Sequence, residues 1–368
     1  MARRSVKKAP SQTRKTKIGN EAISRPSGSQ REGLSGISFK KFFILILVVL
    51  GFFYGQSILK NGIQAKPKDF PLKKVAQFKV NPSPEKTFFV TSIAAVAPNM
   101  LAVTDCPGNQ VLIYDFQGKL IRKWGQHGAD PKDLNEPSGI TTDRKGNLYV
   151  LDTWNGAVKV FDLAGKLETT LDLAHFGFFY GPRQIGWGGN SLLIPNQANF
   201  RLARLSLEGE LLGLWQGEEV VGKVSGAIGD GQGHYYVGDS NLKKSRIQVL
   251  DESGKVLRAI KTGVPASTLA LDSKGRLFVG SYGDSSEVFD TNGNLLGVLT
   301  DEAEMGKPLN LFYGMDITSD DMILTCAGET VALVFEFKIN GKASENAKQS
   351  TAYGYPNKFW ILAGTGSP

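Results

Sequence analysis

Residues 147–162 read Asn147-Leu148-Tyr149-Val150-Leu151-Asp152-Thr153-Trp154-Asn155-Gly156-Ala157-Val158-Lys159-Val160-Phe161-Asp162, and Leu163-Ala164-Gly165-Lys166 come next. Two short apolar runs flank Asp-x-x-Asn-Gly, and a glycine turn closes the second run. Apolar β-type residues on both sides of such a turn are a hairpin signal. Weaker copies of this unit fill the chain from about residue 85 to about 345.

The closing glycine sets the period. It recurs in Phe116-Gln117-Gly118-Lys119, Leu163-Ala164-Gly165-Lys166, Leu207-Glu208-Gly209-Glu210, Glu252-Ser253-Gly254-Lys255, Thr291-Asn292-Gly293-Asn294 and Ile339-Asn340-Gly341-Lys342. Six turns at intervals of 39 to 48 residues imply six units of four strands each. Each unit starts with a strand rich in small residues, such as Ser138-Gly139-Ile140-Thr141 or Ser225-Gly226-Ala227-Ile228, suited to crowding around an axis. The second strand is continuously apolar (Leu148-Tyr149-Val150, Leu277-Phe278-Val279), which implies burial on both faces. A lone unit of this kind leaves both faces bare, and six arranged radially cover one another. The expected fold is therefore all-β: a six-bladed β-propeller of four-stranded antiparallel blades over residues 74–345. Ring closure falls to Lys74 to Val80, an outer strand without a blade of its own, which is expected to complete the sixth blade. Residues 346–368 form a C-terminal extension. Its apolar run, Phe359 to Ala363, adds to that edge or packs beneath the ring.

The first seventy residues differ in kind. Residues 1–41 carry eleven Lys or Arg and two acids, so they hold all of the net charge of +8, and the remainder is close to neutral. This stretch is rich in Ser, Gly, Gln and Pro and reads as a disordered cytoplasmic tail. A nucleic-acid-binding arm is disfavoured, because the adjoining apolar stretch gives the charge another role. Residues 42–59 (Phe42 to Leu59) contain no charged residue and are about the length of a membrane-spanning helix. Positive charge before them keeps that end in the cytoplasm and exports the rest. An uncleaved signal anchor is favoured over a cleaved signal peptide because the preceding basic region is long. Residues 60–73 read as a Pro-punctuated linker. The expected location is the cytoplasmic membrane, single-pass, with the propeller on the periplasmic or extracellular side.

The segment Pro137-Ser138-Gly139-Ile140-Thr141-Thr142-Asp143-x-x-Gly146-Asn147-Leu148-Tyr149-Val150-Leu151-Asp152-Thr153-Trp154-Asn155-x-x-Val158-Lys159-Val160-Phe161-Asp162 resembles the NHL repeat. The resemblance is close in this unit, fair in the first and fourth, and weak in the third, fifth and sixth, where Pro195, Ser281 and Thr325 or Cys326 stand for Asp152. It implies a propeller used for binding proteins or nucleic acids, with a few six-bladed relatives that are enzymes.

Candidates for chemistry are few. Lyases of similar fold hold zinc with three His. Here His127 and His175 fall in loops between blades and His234 in a turn on the opposite face, so the three do not share one ion. Asp105, Asp152 and Asp239 recur at one position after the second strand. They either cap their own loops or, as in lactonase-like propellers, hold calcium, and recurrence favours the cap. No catalytic or metal set is assigned, and no cofactor is expected; calcium or zinc belongs only to the enzyme alternative. Cys106 and Cys326 fall at matching positions of the first and sixth blades, where they form either a ring-latching disulfide or two buried thiols. The suggestive surface is aromatic: Trp154, Phe178, Tyr180, Arg183, Tyr282, Phe312 and Tyr313, all in loops of one face. The sequence thus points to a membrane-anchored binding or scaffold module for an envelope protein, a peptide or a polysaccharide. The alternative is an exported metal-dependent lyase or lactonase-like hydrolase working in the channel.

Overall fold

The computed structural model describes residues 68–80, 90–97, 99–177, 184–281, 285–301, 307–309, 314–326, 331–339 and 342–343. The tail, the apolar stretch Phe42 to Leu59 and the run Phe359 to Ala363 lie outside them. Among the described residues no helix is long and apolar enough to cross a membrane.

The described chain is a β-propeller. After β1 (Asp69–Lys79) come four antiparallel sheets of four strands. They are β2 (Val90–Ala97), β3 (Met100–Asp105), β4 (Gln110–Asp115), β5 (Leu120–Trp124); then β6 (Pro137–Thr142), β7 (Asn147–Asp152), β8 (Ala157–Asp162), β9 (Leu167–Asp172). The third comprises β10 (Gly186–Trp187), β11 (Leu192–Asn196), β12 (Arg201–Leu205), β13 (Leu211–Gln216), and the fourth β14 (Val224–Gly229), β15 (Tyr235–Asp239), β16 (Arg246–Leu250), β17 (Val256–Lys261). The chain continues through β18 (Thr268–Leu271), β19 (Leu277–Gly280), β20 (Glu287–Phe289), β21 (Leu295–Asp301), β22 (Lys307–Pro308), β23 (Gly314–Ile317), β24 (Ile323–Cys326), β25 (Val331–Ile339) and β26 (Lys342–Ala343).

The expectation of six separate blades is corrected to five sheets. The units expected as fifth and sixth are one ten-stranded sheet, ordered β18-β19-β20-β21-β1-β25-β24-β23, with β22 on β21 and β26 on β25. The cause is β1. Leu72 to Lys79 pair antiparallel with β25, as expected of an outer strand supplied from the N-terminal side. Asp69 to Leu72 also pair in parallel with Val298 to Asp301 of β21, which zips the two units together. Asp69 to Lys73 are thus strand rather than linker. Leu72 is fully buried among Phe278, Leu299 and Ile317. The innermost strands β2, β6, β10, β14, β18 and β23 touch in that order, and β23 meets β2, so the ring closes.

The spaced glycines explain how neighbouring units hold together. Gly118, Gly165, Gly209, Gly254 and Gly293 all have φ between 80° and 95°, where a Cβ is strained. Each is also a socket. A Cβ on Gly165 would lie 2.9 Å from the Trp124 ring, and one on Gly293 would lie 2.8 Å from Ile260 Cγ1. Leu171 seats on Gly209 and Trp215 on Gly254 in the same way. The outer strand of one unit thus presses an apolar side chain onto the turn of the next. The last strand in this ring is β1: Phe78 fills the socket of Gly118, with a Cβ there only 2.6 Å from Phe78 Cβ. Its ring lies 5.6 Å from that of Tyr114, whose hydroxyl donates to Val80 O at 2.9 Å.

Candidate binding face and axial cavity

The loops that follow the second strands share one face of the ring with the longer connections between units. In the first, second and fourth units a buried aspartate holds this loop. Asp152 is fully buried, and its carboxylate accepts from Asn135 N at 2.6 Å and Asn155 Nδ2 at 2.8 Å while pairing with Lys159 Nζ at 3.0 Å. Asp105 accepts from Gly108 N at 3.1 Å and Gln110 Nε2 at 2.7 Å. Asp239 accepts from Lys223 N and Asn241 N, both at 3.0 Å, and from Arg246 Nε at 3.3 Å. These geometries are loop caps, with the acceptor positions directed into the loop itself. In the third unit the strand pairing puts Asn196, not Pro195, at this position: Asn196 faces Arg201 as Asp152 faces Ala157. Its fully buried amide has no hydrogen-bond partner among the described residues.

The third strands brace the same loops from within. Lys159 Nζ donates to Asp130 O at 3.1 Å and to Asp133 O, and Gln248 Nε2 donates to Glu219 O at 2.7 Å. In the fifth unit the polarity is reversed. Glu287, paired with Val279 as Gln248 is with Val237, accepts from Gly263 N at 3.1 Å and 3.2 Å. Burial pushes the Glu287 carboxyl above the usual carboxylate range, and that single N–H pulls it back only in part.

These braced loops lift apolar side chains into solvent in three consecutive units. Trp154 is 49% exposed after β7, Phe200 39% after β11 and Leu242 82% after β15. Phe200 has φ 50°, a left-handed conformation that is uncommon for a bulky residue, and it is fixed there by Gly217 N donating to Phe200 O at 3.0 Å. Leu242 stands on a turn held by Asn241 Oδ1, which accepts from Lys243 N at 3.0 Å. Trp154 N donates to Asn135 O at 3.2 Å. Of the aromatic set read from the sequence, Trp154 is on this face; Phe178, Tyr180, Arg183, Tyr282, Phe312 and Tyr313 lie outside the described residues. Phe200 and Leu242 were not among the sequence candidates.

On the axis a cavity of about 60 Å³ is lined by one or more residues from each inner strand or its lead-in, among them Ser92, Thr141, Gln184, Gly226, Thr268 and Asp316. Asp316 is its acid. Its carboxylate accepts from Ala95 N and Ile317 N, both at 2.8 Å. Arg144, from the β6–β7 turn on the opposite face, donates to Ile317 O at 2.7 Å and lies 3.7 Å from Asp316 Oδ1. Burial raises the Asp316 carboxyl above its ordinary range, against the pull of Arg144 and the two N–H groups.

The histidines divide between the faces as expected. His175 lies 3.2 Å from Asp172 on the loop face, and His234 lies 2.8 Å from Asp230 in the β14–β15 turn. No disulfide joins Cys106 and Cys326, and both are buried. The latch is corrected on register. Counting from Met100 and Met322, the first residues after the inner hairpin turns, the counterpart of Cys326 is Thr104. Burial pushes the Cys326 thiol well up, as expected of an inert core cysteine.

The NHL repeat family matches residues 134–161, the unit whose loop carries Trp154. Among solved structures the chain is similar to virginiamycin B lyase from Staphylococcus aureus, determined as a catalytically inactive variant with quinupristin. Identity is 14% over 71% of this chain and 83% of that one, with a TM-score of 0.50. It is also similar to a streptogramin B lyase, at 11% identity over 74% of this chain and 95% of that one, with a TM-score of 0.50. No curated protein matches the sequence. The chain is a β-propeller carrying an NHL repeat in its second unit. At these identities the likeness to the lyases is one of fold.

Proposed function

We propose that this chain is a membrane-anchored binding module, held by Phe42 to Leu59 in the cytoplasmic membrane, with its propeller on the exported side. The loop face is the surface that takes an envelope protein, a peptide or a polysaccharide. One observation carries the reading: Trp154, Phe200 and Leu242 are held exposed on the corresponding loops of three adjacent units, the first and third fixed by buried Asp152 and Asp239 and the second by Gly217 N donating to Phe200 O. Exposed aromatic and aliphatic tips on a rigid frame are the anchors from which interfaces are built. The aromatic residues Phe178, Tyr180, Tyr282, Phe312 and Tyr313, with Arg183, belong to the same proposed face by their place in the repeat.

The test is alanine at Trp154, Phe200 and Leu242 together, in the full chain in its native membrane. Crosslinked complexes should fall several-fold while expression and thermal stability stay unchanged. Undiminished complexes would remove the loop face from the account.

The axial cavity supports a second reading, a lyase or hydrolase with its site in the channel. The partly buried Asp316 carboxyl beside Arg144 is the observation that favours it, and the lyases of similar fold make it worth testing. Stoichiometric calcium or zinc in chelator-free protein, lost in Asp316→Asn, would turn the account toward it.

A further inference from the structure

Outer strands of a propeller expose an edge of unpaired backbone groups, and such edges are normally guarded by charge or covered. Here β5 carries Arg122 and Lys123, β9 carries Glu168, and β17 carries Arg258 and Lys261. The outer strand β21, Leu295-Leu296-Gly297-Val298-Leu299-Thr300-Asp301, is apolar and is covered by Asp69 to Leu72 running parallel to it. Its Gly297 permits that approach: a Cβ there would meet the Lys68 carbonyl oxygen.

Strand β13 is the twin of β21. It reads Leu211-Leu212-Gly213-Leu214-Trp215-Gln216, with no charge, and Leu211, Leu212 and Leu214 are 43%, 45% and 37% exposed. Gly213 occupies the place of Gly297, and the atoms a Cβ there would meet are those of its own strand's Trp215, so the approach from outside is open. A glycine inside a strand weakens it and marks close approach of another backbone. Among the described residues no strand pairs with this edge, because β13 ends its sheet.

From these we infer that the β13 edge is a strand-addition site for the C-terminal run Phe359-Trp360-Ile361-Leu362-Ala363 of this chain, laid parallel to Leu211–Trp215 with Phe359 opposite Leu211, in the direction in which Asp69–Leu72 run along β21. The run is strand-sized, apolar and uncharged. With Phe359 set opposite Leu211, Lys358 lies beside the oppositely charged Glu210. The alternative edge, β1 from Lys73 to Lys79, is guarded by lysines at Lys73, Lys74 and Lys79. The span from Ala343 to Phe359 reaches about 50 Å when extended, so the run comes from the same copy or a neighbouring one.

The test uses the full chain, oxidised under native conditions, with Leu212→Cys paired to Trp360→Cys. The control is Ile121→Cys, at the same place on charged β5, paired to Trp360→Cys. Rapid disulfide formation with Leu212→Cys, several-fold above the control, supports the site, and the mass of the product says whether one copy or two are joined. Equal or absent crosslinking overturns it. Independently, Leu212→Lys with Leu214→Lys should speed chymotrypsin cleavage at Phe359 and Trp360 several-fold with circular dichroism unchanged, and unchanged cleavage would also overturn it.

Discussion

Replacing Gly118 by alanine tests the ring closure. Gly118 has φ 85°, and the new Cβ would lie 2.6 Å from Phe78 Cβ and 2.7 Å from Phe78 Cγ. Two costs are separable. An L-residue in the left-handed region costs about 1–2 kcal/mol, partly offset by about 0.4–1 kcal/mol of lost freedom in the unfolded chain. Forcing Phe78 aside adds about 1–3 kcal/mol, the usual range for overpacking. The total is about 2–4 kcal/mol. Gly156 is the internal control, with φ 64° and no atom within 4 Å of a Cβ, so Gly156→Ala carries only the first cost, about 1 kcal/mol. Urea unfolding followed by tryptophan fluorescence measures both. Because the nearest atoms are Phe78 Cβ and Cγ, Gly118→Ala should cost less in a Phe78→Ala background, which removes Cγ and the ring, than in the parent. If Gly118→Ala were no worse than Gly156→Ala, the socket would not be a site of stabilising contact, and the reading of the repeated glycines would fail.

The buried charges give further expected outcomes. Lys159→Met leaves Asp152 buried without its cation and should cost about 3–5 kcal/mol, most of it recovered by adding Asp152→Asn; chemical denaturation of the single and double variants decides this. Glu287 has a raised pKa, so the folded state holds its proton more tightly than the unfolded one. The stability linked to it is complete at acid pH and is lost as pH rises through the folded value. Glu287→Gln should therefore be more stable than the parent at neutral pH, with the gain vanishing toward the ordinary glutamate range; a gain that grows on acidification would refute the assignment. Asp316→Asn removes a carboxyl that burial already disfavours as an anion and should leave loop-face binding unchanged under the binding-module reading. Loss of partner crosslinking in that variant would tie binding to the axis.

Much of the fold was legible because one residue type answers two demands. Gly118, Gly165, Gly209, Gly254 and Gly293 need both a positive φ and an empty Cβ position, so their spacing survives where the rest of the repeat has drifted. Lys74 to Val80 were legible as a ring-closing strand by their register, as an outer strand without a blade of its own. Their extension, Asp69 to Leu72, was hidden by Pro71, which argues for a linker when the partner strand is unseen. That hidden parallel pairing is what merges two expected blades into one sheet. Asn196 was missed for a different reason. Leu192 to Pro195 form an unbroken apolar run, and a strand without alternation gives no penalty for a slip of one residue. Phe200 and Leu242 were invisible as surface because lone apolar loop residues read equally as gap fillers, and neither the backbone strain at Phe200 nor the exposure at Leu242 is written in residue type.

The claim that the loop face is the functional surface is tested most directly by placing a photocrosslinking residue, one position at a time, at Trp154, Phe200 and Leu242 in the full chain in living membranes. Lys145 and Lys274, in turns of the opposite face, serve for comparison. The account predicts a discrete adduct of the same mass from all three loop positions and none from the two turns. Adducts confined to the turn positions, with none from the loops, would contradict it.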